Sequence, residues 1–72
     1  MVYVLEFFAV EPGGQLEPLN NLKCRAPTVD GAAEKARSIG KTVEVRNKRP
    51  HLCVIKDQLG KVWREVGVEA AQ

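Results

Sequence analysis

Apolar and polar side chains follow one another at the start of the chain in a pattern that predicts a strand over Val2–Val10. The segment is rich in β-branched and aromatic residues, which favour strands. One face of this strand would carry Tyr3, Leu5, Phe7 and Ala9, and the other Val2, Val4, Glu6, Phe8 and Val10. Both faces are largely apolar, whereas a strand covered on one side only should alternate more cleanly. We therefore expect a central strand covered on both sides, or one whose second face meets another chain.

A second strand is predicted over Leu22–Ala26, where Leu22, Cys24 and Ala26 would face the core and Lys23 and Arg25 the water. The turn residues of Glu11–Gln15 indicate a loop. Leu16–Asn21 stays undecided, because Pro18 argues against a central strand. The two strands are expected to form a wide hairpin around the loop.

A helix is predicted over about Thr28–Ile39. Thr28 suits the N-cap position, and Asp30 places negative charge in the first turn, where the helix dipole favours it. Helical spacing gives one apolar stripe made of Val29, Ala32, Ala33, Ala36 and Ile39. Gly40 suits the position just after the helix end. Because the stripe is mainly alanine, the helix should approach a sheet closely.

Three more strands are predicted over Thr42–Arg46, His51–Lys56 and Lys61–Val68, and Glu69–Gln72 is expected to be a frayed tail. Asp57–Gly60 should form a tight turn between the last two strands. The expected fold is α+β: a small, mostly antiparallel sheet with one helix on one face, in the order β-β-α-β-β-β.

The length of 72 residues indicates a single domain over residues 1–72. So short a chain gains only ~3–5 kcal/mol from its core, so such domains often depend on a metal, a disulfide or a partner. The longest apolar stretch, Met1–Val10, is shorter than the ~20 residues that span a bilayer and lacks signal-peptide features. We expect a cytoplasmic protein with no membrane partner.

Charge is distributed unevenly along the chain. Met1–Leu22 has three acidic residues and no basic one, whereas Lys23–Gln72 holds all eleven Lys and Arg. A predicted turn gathers Arg46, Lys48, Arg49 and Lys56 in sequence. Such a cluster can bind the phosphates of nucleic acid or another polyanion. A solvated, charged sheet edge that resists aggregation would look the same.

The residues that carry chemistry are few. His51 is the one histidine, and no nucleophile–base pair is visible, so we expect no enzyme, no catalytic residues and no cofactor. Cys24, His51 and Cys53 lack a fourth ligand and the usual zinc spacing, so reduced cysteines and no metal are expected. Glu6, a charge in an apolar strand, marks either a buried site or an ordinary surface position, on a strand face partly open to solvent or paired with a Lys or Arg on the next strand.

Two segments resemble short bacterial α+β proteins of unknown function. Thr28-x-x-x-Ala32-Ala33-x-x-Ala36 is followed by Val54-Ile55-Lys56-Asp57-x-x-Gly60-Lys61-Val62-Trp63, and the similarity covers about residues 26–68. Those proteins pair a small-residue helix with a closing hairpin around an Asp-x-x-Gly turn. The resemblance implies a fold and carries no activity to any residue.

Apolar residues on both faces of the first and last strands exceed what one alanine-lined helix can cover. The sequence therefore favours a non-catalytic structural or interaction module that forms a homodimer, with Phe8 and Trp63 as candidate contact residues. Nucleic-acid or polyanion binding through the basic residues is the alternative.

Overall fold

The computed structural model describes residues 1–68. It contains the strands β1 (Val2–Val10), β2 (Leu16–Arg25), β3 (Leu52–Asp57) and β4 (Val62–Gly67) and the helix α1 (Val29–Gly40). The strands form one sheet in the order β2-β1-β3-β4, with every neighbouring pair antiparallel. This confirms the predicted fold class. The tail predicted over Glu69–Gln72 lies outside the described residues.

The helix begins as the sequence predicts. Thr28 is the N-cap, and its Oγ1 accepts a hydrogen bond of 3.2 Å from the backbone N–H of Gly31. The buried residues of α1 are Ala32, Ala33, Ala36 and Gly40. Their small side chains let the helix approach the sheet closely. Gly40 is the last helical residue rather than the one beyond the helix, and Lys41 is the C-cap.

The core lies between α1 and the face of the sheet that carries Tyr3, Leu5 and Phe7, of which Leu5 and Phe7 have no exposed surface. On the neighbouring strands Cys24, Cys53, Ile55 and Val66 join it, together with Val68 just after β4. The alternation read from the sequence is thus correct for β1. Leu22, which was expected in the core, is 37% exposed, because it lies on the edge strand β2.

The strand predicted over Thr42–Arg46 is wrong. Instead Val45 and Lys48 bond to each other through both backbone groups, at 2.9 and 2.8 Å, around a two-residue turn. Arg46 and Asn47 have positive φ angles of 53° and 64°, as a tight turn of this kind requires. Moreover, both edges of β1 are already taken by β2 and β3. The chain between α1 and β3 therefore folds on itself.

The second strand is longer than predicted and includes the undecided segment from Leu16. Pro18 is accommodated because β2 is an edge strand, and because the register with β1 shifts between Phe7 and Phe8. Both predicted hairpins are present: Val10 pairs with Leu16, and the Asp57 N–H donates to the Lys61 carbonyl at 2.9 Å.

Candidate interaction surface

The face of the sheet that points away from α1 is the main unexplained surface. We call it the outer face and define it by the half-buried residues Val2, Val4, Glu6 and Phe8 of β1 and Leu52, Val54 and Lys56 of β3. The register places these residues side by side, since Phe8 pairs with Leu52, Glu6 with Val54, and Val4 with Lys56. Five of the seven side chains are apolar.

The outer face differs from the helix-facing side in how far it is covered. Within residues 1–68 the one helix packs on the opposite side of the sheet, so the outer face is shielded only by its own neighbours. The apolar surface continues to the end of the hairpin, where Val10 is 45% exposed and its register partner Leu16 is 50% exposed. A contiguous apolar surface of this kind is typical of an interaction site.

An ion pair lies within this apolar surface, and the flanking strands add Lys23 beside Val4 and Glu65 beside Val54. Lys56 Nζ lies 2.6 Å from Glu6 Oε1, and the two side chains are 33% and 26% exposed. Val4 and Val54 are their register partners, so the pair runs diagonally from β1 to β3. Of the two interpretations of Glu6, the structure shows the carboxylate paired with a lysine of the next strand. The ion pair compensates each charge for part of the water it has lost.

The two residues predicted to mediate self-association lie in different places. Phe8 is on the outer face, beside Leu52. Trp63 lies in β4 where the register with β3 shifts, and it is 45% exposed. Its Nε1 donates to Asp57 Oδ2 at 3.2 Å, and Lys61 Nζ lies 4.7 Å from the centre of its ring. These contacts hold Trp63 at the end of the β3–β4 hairpin, and the structure does not bring it together with Phe8.

Asp57 organises that hairpin. Its Oδ1 accepts hydrogen bonds of 2.9 Å from the backbone N–H groups of Leu59 and Lys61, and Gly60 supplies the positive φ of 90°. The bond from the Lys61 N–H, followed by those from Trp63 and Leu59, lowers the pKa of Asp57 because each stabilises the ionised carboxylate. The sequence identified this turn chemistry, but not the bond to Trp63.

The basic residues predicted to bind a polyanion each contact a carboxylate. Lys48 Nζ lies 2.7 Å from Glu11 Oε1 and 2.8 Å from Glu17 Oε2, and Arg46 lies 3.8 Å from Glu17. The hydrogen bonds that Lys48 donates to Glu11 and Glu17 raise the pKa of Lys48, and the bond that Glu17 accepts from Lys48 lowers the pKa of Glu17. These contacts fasten the Val45–Lys48 turn to the β1–β2 hairpin and neutralise part of its charge.

The other two members of that basic set have separate surroundings. Arg49 Nε lies 3.5 Å from Glu44 Oε1. Lys56 belongs to the outer face and pairs in register with Val4, whereas Lys48 contacts Glu11, about seven residues or ~20 Å further along β1. The structure therefore does not gather the four residues into one patch. The acidic first part of the sequence was the one signal for the partners of Arg46, Lys48 and Lys56, whereas Arg49 contacts Glu44 from a later segment.

The candidate metal ligands are dispersed. Cys24 and Cys53 are buried free thiols. In the sheet register Cys24 lies beside Tyr3 and Cys53 beside Phe7, along opposite edges of β1. Burial raises the pKa of the Cys53 thiol to about 12, with Cys24 and Glu6 contributing. His51 is exposed, and its Nδ1 accepts from the Val10 N–H at 3.3 Å. Residues 1–68 contain no group of three side chains placed to hold a metal ion.

One surface cavity is lined by Val2, Lys23, Cys24, Arg25 and Gln58. It offers no carboxylate or histidine to act as a general base.

No family model, curated protein or solved structure matches the chain. In the part of the chain that the structure describes, no helix has the length and apolar character needed to cross a membrane.

Proposed function

We propose that this protein is a non-catalytic interaction module that self-associates through the outer face. The observation that supports this most directly is the difference between the two faces of β1. Leu5 and Phe7 are fully buried under α1, whereas Val4 and Phe8 on the other face are half-buried, and no helix of residues 1–68 packs over them. Burying apolar surface stabilises by roughly 25 cal/mol per Å², so covering this face is favourable.

The size of the outer face sets the strength of the interaction. With four strands ~4.8 Å apart and about six residues long, one whole side of the sheet measures roughly 20 Å by 20 Å, or about 400 Å² of flat area per copy, and the outer face is its central part. Two such sides would bury on the order of 800 Å², below the ~1,200–2,000 Å² of stable specific interfaces and in the range of weak, transient contacts. We therefore expect a dimer that dissociates in the micromolar range and not an obligate one.

Sedimentation equilibrium over a wide concentration range tests the proposal. The wild-type protein should move from a monomer of 8.0 kDa toward a dimer as concentration rises. Val54→Gln places an amide in the middle of the outer face, and burying it without a partner costs ~1–3 kcal/mol per copy. The variant should therefore dimerise at least tenfold more weakly, since 1.4 kcal/mol corresponds to a factor of ten.

Leu59→Gln is the matched control. Leu59 is 95% exposed at the tip of the β3–β4 hairpin, so this variant introduces the same amide away from the outer face. Its dimerisation should equal that of the wild type. A wild-type protein that stays monomeric at all concentrations would refute the proposal, and equal weakening by both substitutions would place the interface elsewhere.

Nucleic-acid binding remains the alternative that the basic residues suggested. No observation favours it over self-association, because Arg46, Lys48, Arg49 and Lys56 all contact carboxylates of the chain. Phosphates would have to compete with these carboxylates for the same donors. Trp63, the other residue that the sequence suggested for self-association, lies in the β3–β4 hairpin and has no contact in the proposed interface.

A further inference from the structure

The ion pair in the outer face has consequences for which surface can cover it. The Glu6 and Lys56 side chains are about one-quarter and one-third exposed, although Glu6 Oε1, the oxygen that faces Lys56, is itself buried. A purely apolar partner would remove the remaining water from both side chains without replacing it, which is unfavourable for charged groups. A compatible partner must therefore present complementary charges opposite the pair, on a side of the sheet that also carries Lys23 beside Val4 and Glu65 beside Val54.

A second copy of this chain presents such a surface. Its outer face carries the same apolar residues around the same diagonal pair. We infer that the outer faces of two copies stack about a two-fold axis that places Glu6 of each copy against Lys56 of the other. The inference rests on the proposed function and specifies the partner and the orientation of its interface.

The orientation follows from the charges. In a face-to-face dimer the two-fold axis lies in the plane between the sheets. An axis that runs across the line from Glu6 to Lys56 reverses the pair, so each carboxylate meets an ammonium group of the other copy. An axis along that line would instead oppose carboxylate to carboxylate and ammonium to ammonium, which is repulsive. The pair thus selects one arrangement against the others.

Charge-reversal variants test this arrangement. Glu6→Lys and Lys56→Glu alone each give a face with two like charges, so neither variant should form a homodimer at concentrations tenfold above the wild-type dissociation constant. Mixed in equal amounts, the two variants present opposite charges to each other and should form a heterodimer. The double variant, with both reversals in one chain, should form a homodimer like the wild type.

Native mass spectrometry with one variant isotopically labelled distinguishes the heterodimer from either homodimer. Mixing cannot restore the pair within one chain, so heterodimer formation reports contact between copies and not recovery of the fold. Asp30→Lys is the control: Asp30 pairs with Arg64 at 2.6 Å and belongs to α1, on the other side of the sheet. It should leave dimerisation unchanged.

The outcomes separate the inference from the proposal on which it rests. A wild-type chain that never dimerises overturns both. A wild-type dimer whose single reversals still form homodimers overturns the paired orientation and leaves self-association intact. A mixture of the two single variants that stays monomeric, while the wild type dimerises, likewise overturns the contact between Glu6 and Lys56 of different copies.

Discussion

Gly40, the last residue of α1, packs against Val68 and Phe7, and it gives a prediction whose sign depends on one neighbour. A Cβ at this position would lie 2.4 Å from Val68 Cγ1, 3.2 Å from Val68 Cγ2 and 3.3 Å from Phe7 Cε1. Val68 is 3% exposed and Phe7 is fully buried. Because valine is stiff about χ1, Val68 cannot turn away without disturbing the core. An alanine at position 40 therefore requires α1 or Val68 to shift.

Two opposing effects determine the magnitude. Overpacking of this kind costs about 1–3 kcal/mol, whereas replacing a helical glycine by alanine gains about 0.5–1 kcal/mol. Gly40→Ala should therefore destabilise the wild type by about 1–2 kcal/mol. Val68→Ala removes both clashing methyl groups and loses about 1.6 kcal/mol of burial on its own. In that background only the 3.3 Å contact with Phe7 opposes the helix gain, so Gly40→Ala should stabilise the protein by at most about 0.5–1 kcal/mol.

Urea unfolding of the four proteins measures this change of sign. At ~4–8 °C per kcal/mol for a domain of this size, thermal unfolding should show it as well. The reasoning would be refuted if Gly40→Ala stabilised the wild type. It would also be refuted if the substitution had the same effect in both backgrounds, because the contact with Val68 would then carry no energy.

Two further predictions concern titratable groups. The pKa of Asp57 is lowered in the folded state, so its contribution to stability is present above about pH 4, the ordinary aspartate value, and is lost as pH falls through the folded pKa. Asp57→Asn keeps an acceptor oxygen but has no charge to lose. The variant should therefore lose less stability than the wild type between pH 6 and pH 3, as measured by thermal unfolding. Equal losses of stability would contradict the contribution of the Asp57 carboxylate. Cys53, whose pKa is raised to about 12 by burial, should react with a thiol reagent at pH 8 only as fast as the protein opens. Modification of Cys53 in the native state at the rate of a free thiol would show that it is accessible.

The elements that the sequence predicted well are those that local chemistry determines. The strand Val2–Val10 and the helix start at Thr28 follow from periodicity and from one hydroxyl that caps a free N–H. The turn after Asp57 likewise depends on residues a few positions apart. Each can be recognised from residues a few positions apart, although the strand itself needs β2 and β3 to pair with.

The errors arose where a distant partner decides the outcome. Thr42–Arg46 has the composition of a strand, but both edges of β1 were already occupied and the chain turned at Arg46 and Asn47. Whether Leu16–Asn21 forms a strand was undecided, because Pro18 is tolerated only on an edge strand. The local sequence does not determine which strand lies at an edge of the sheet.

The same limit applies to the candidate surface. Alternation in β1 showed that both faces are apolar, but only the fold shows which face α1 covers. From the sequence, the basic residues looked available to bind a polyanion, because Glu11 and Glu17, whose carboxylates contact Lys48, are far from it in sequence. Cross-strand ion pairs depend on register, and register is set by the whole sheet.

The apolar residues of the outer face bear on both the stability of the monomer and the proposed dimerisation. A helix of twelve residues can cover one side of a four-stranded sheet. Here the buried side chains of the helix are small, so the helix lies close to the sheet and contributes little side-chain volume to the core. The apolar residues on the other side of β1 and β3 therefore contribute little to the monomer beyond strand formation. A second copy would bury those residues and provide opposite charges for Glu6 and Lys56 together. In the dimer that we propose, a charged pair is compatible with an apolar face because it would determine how the two copies are oriented.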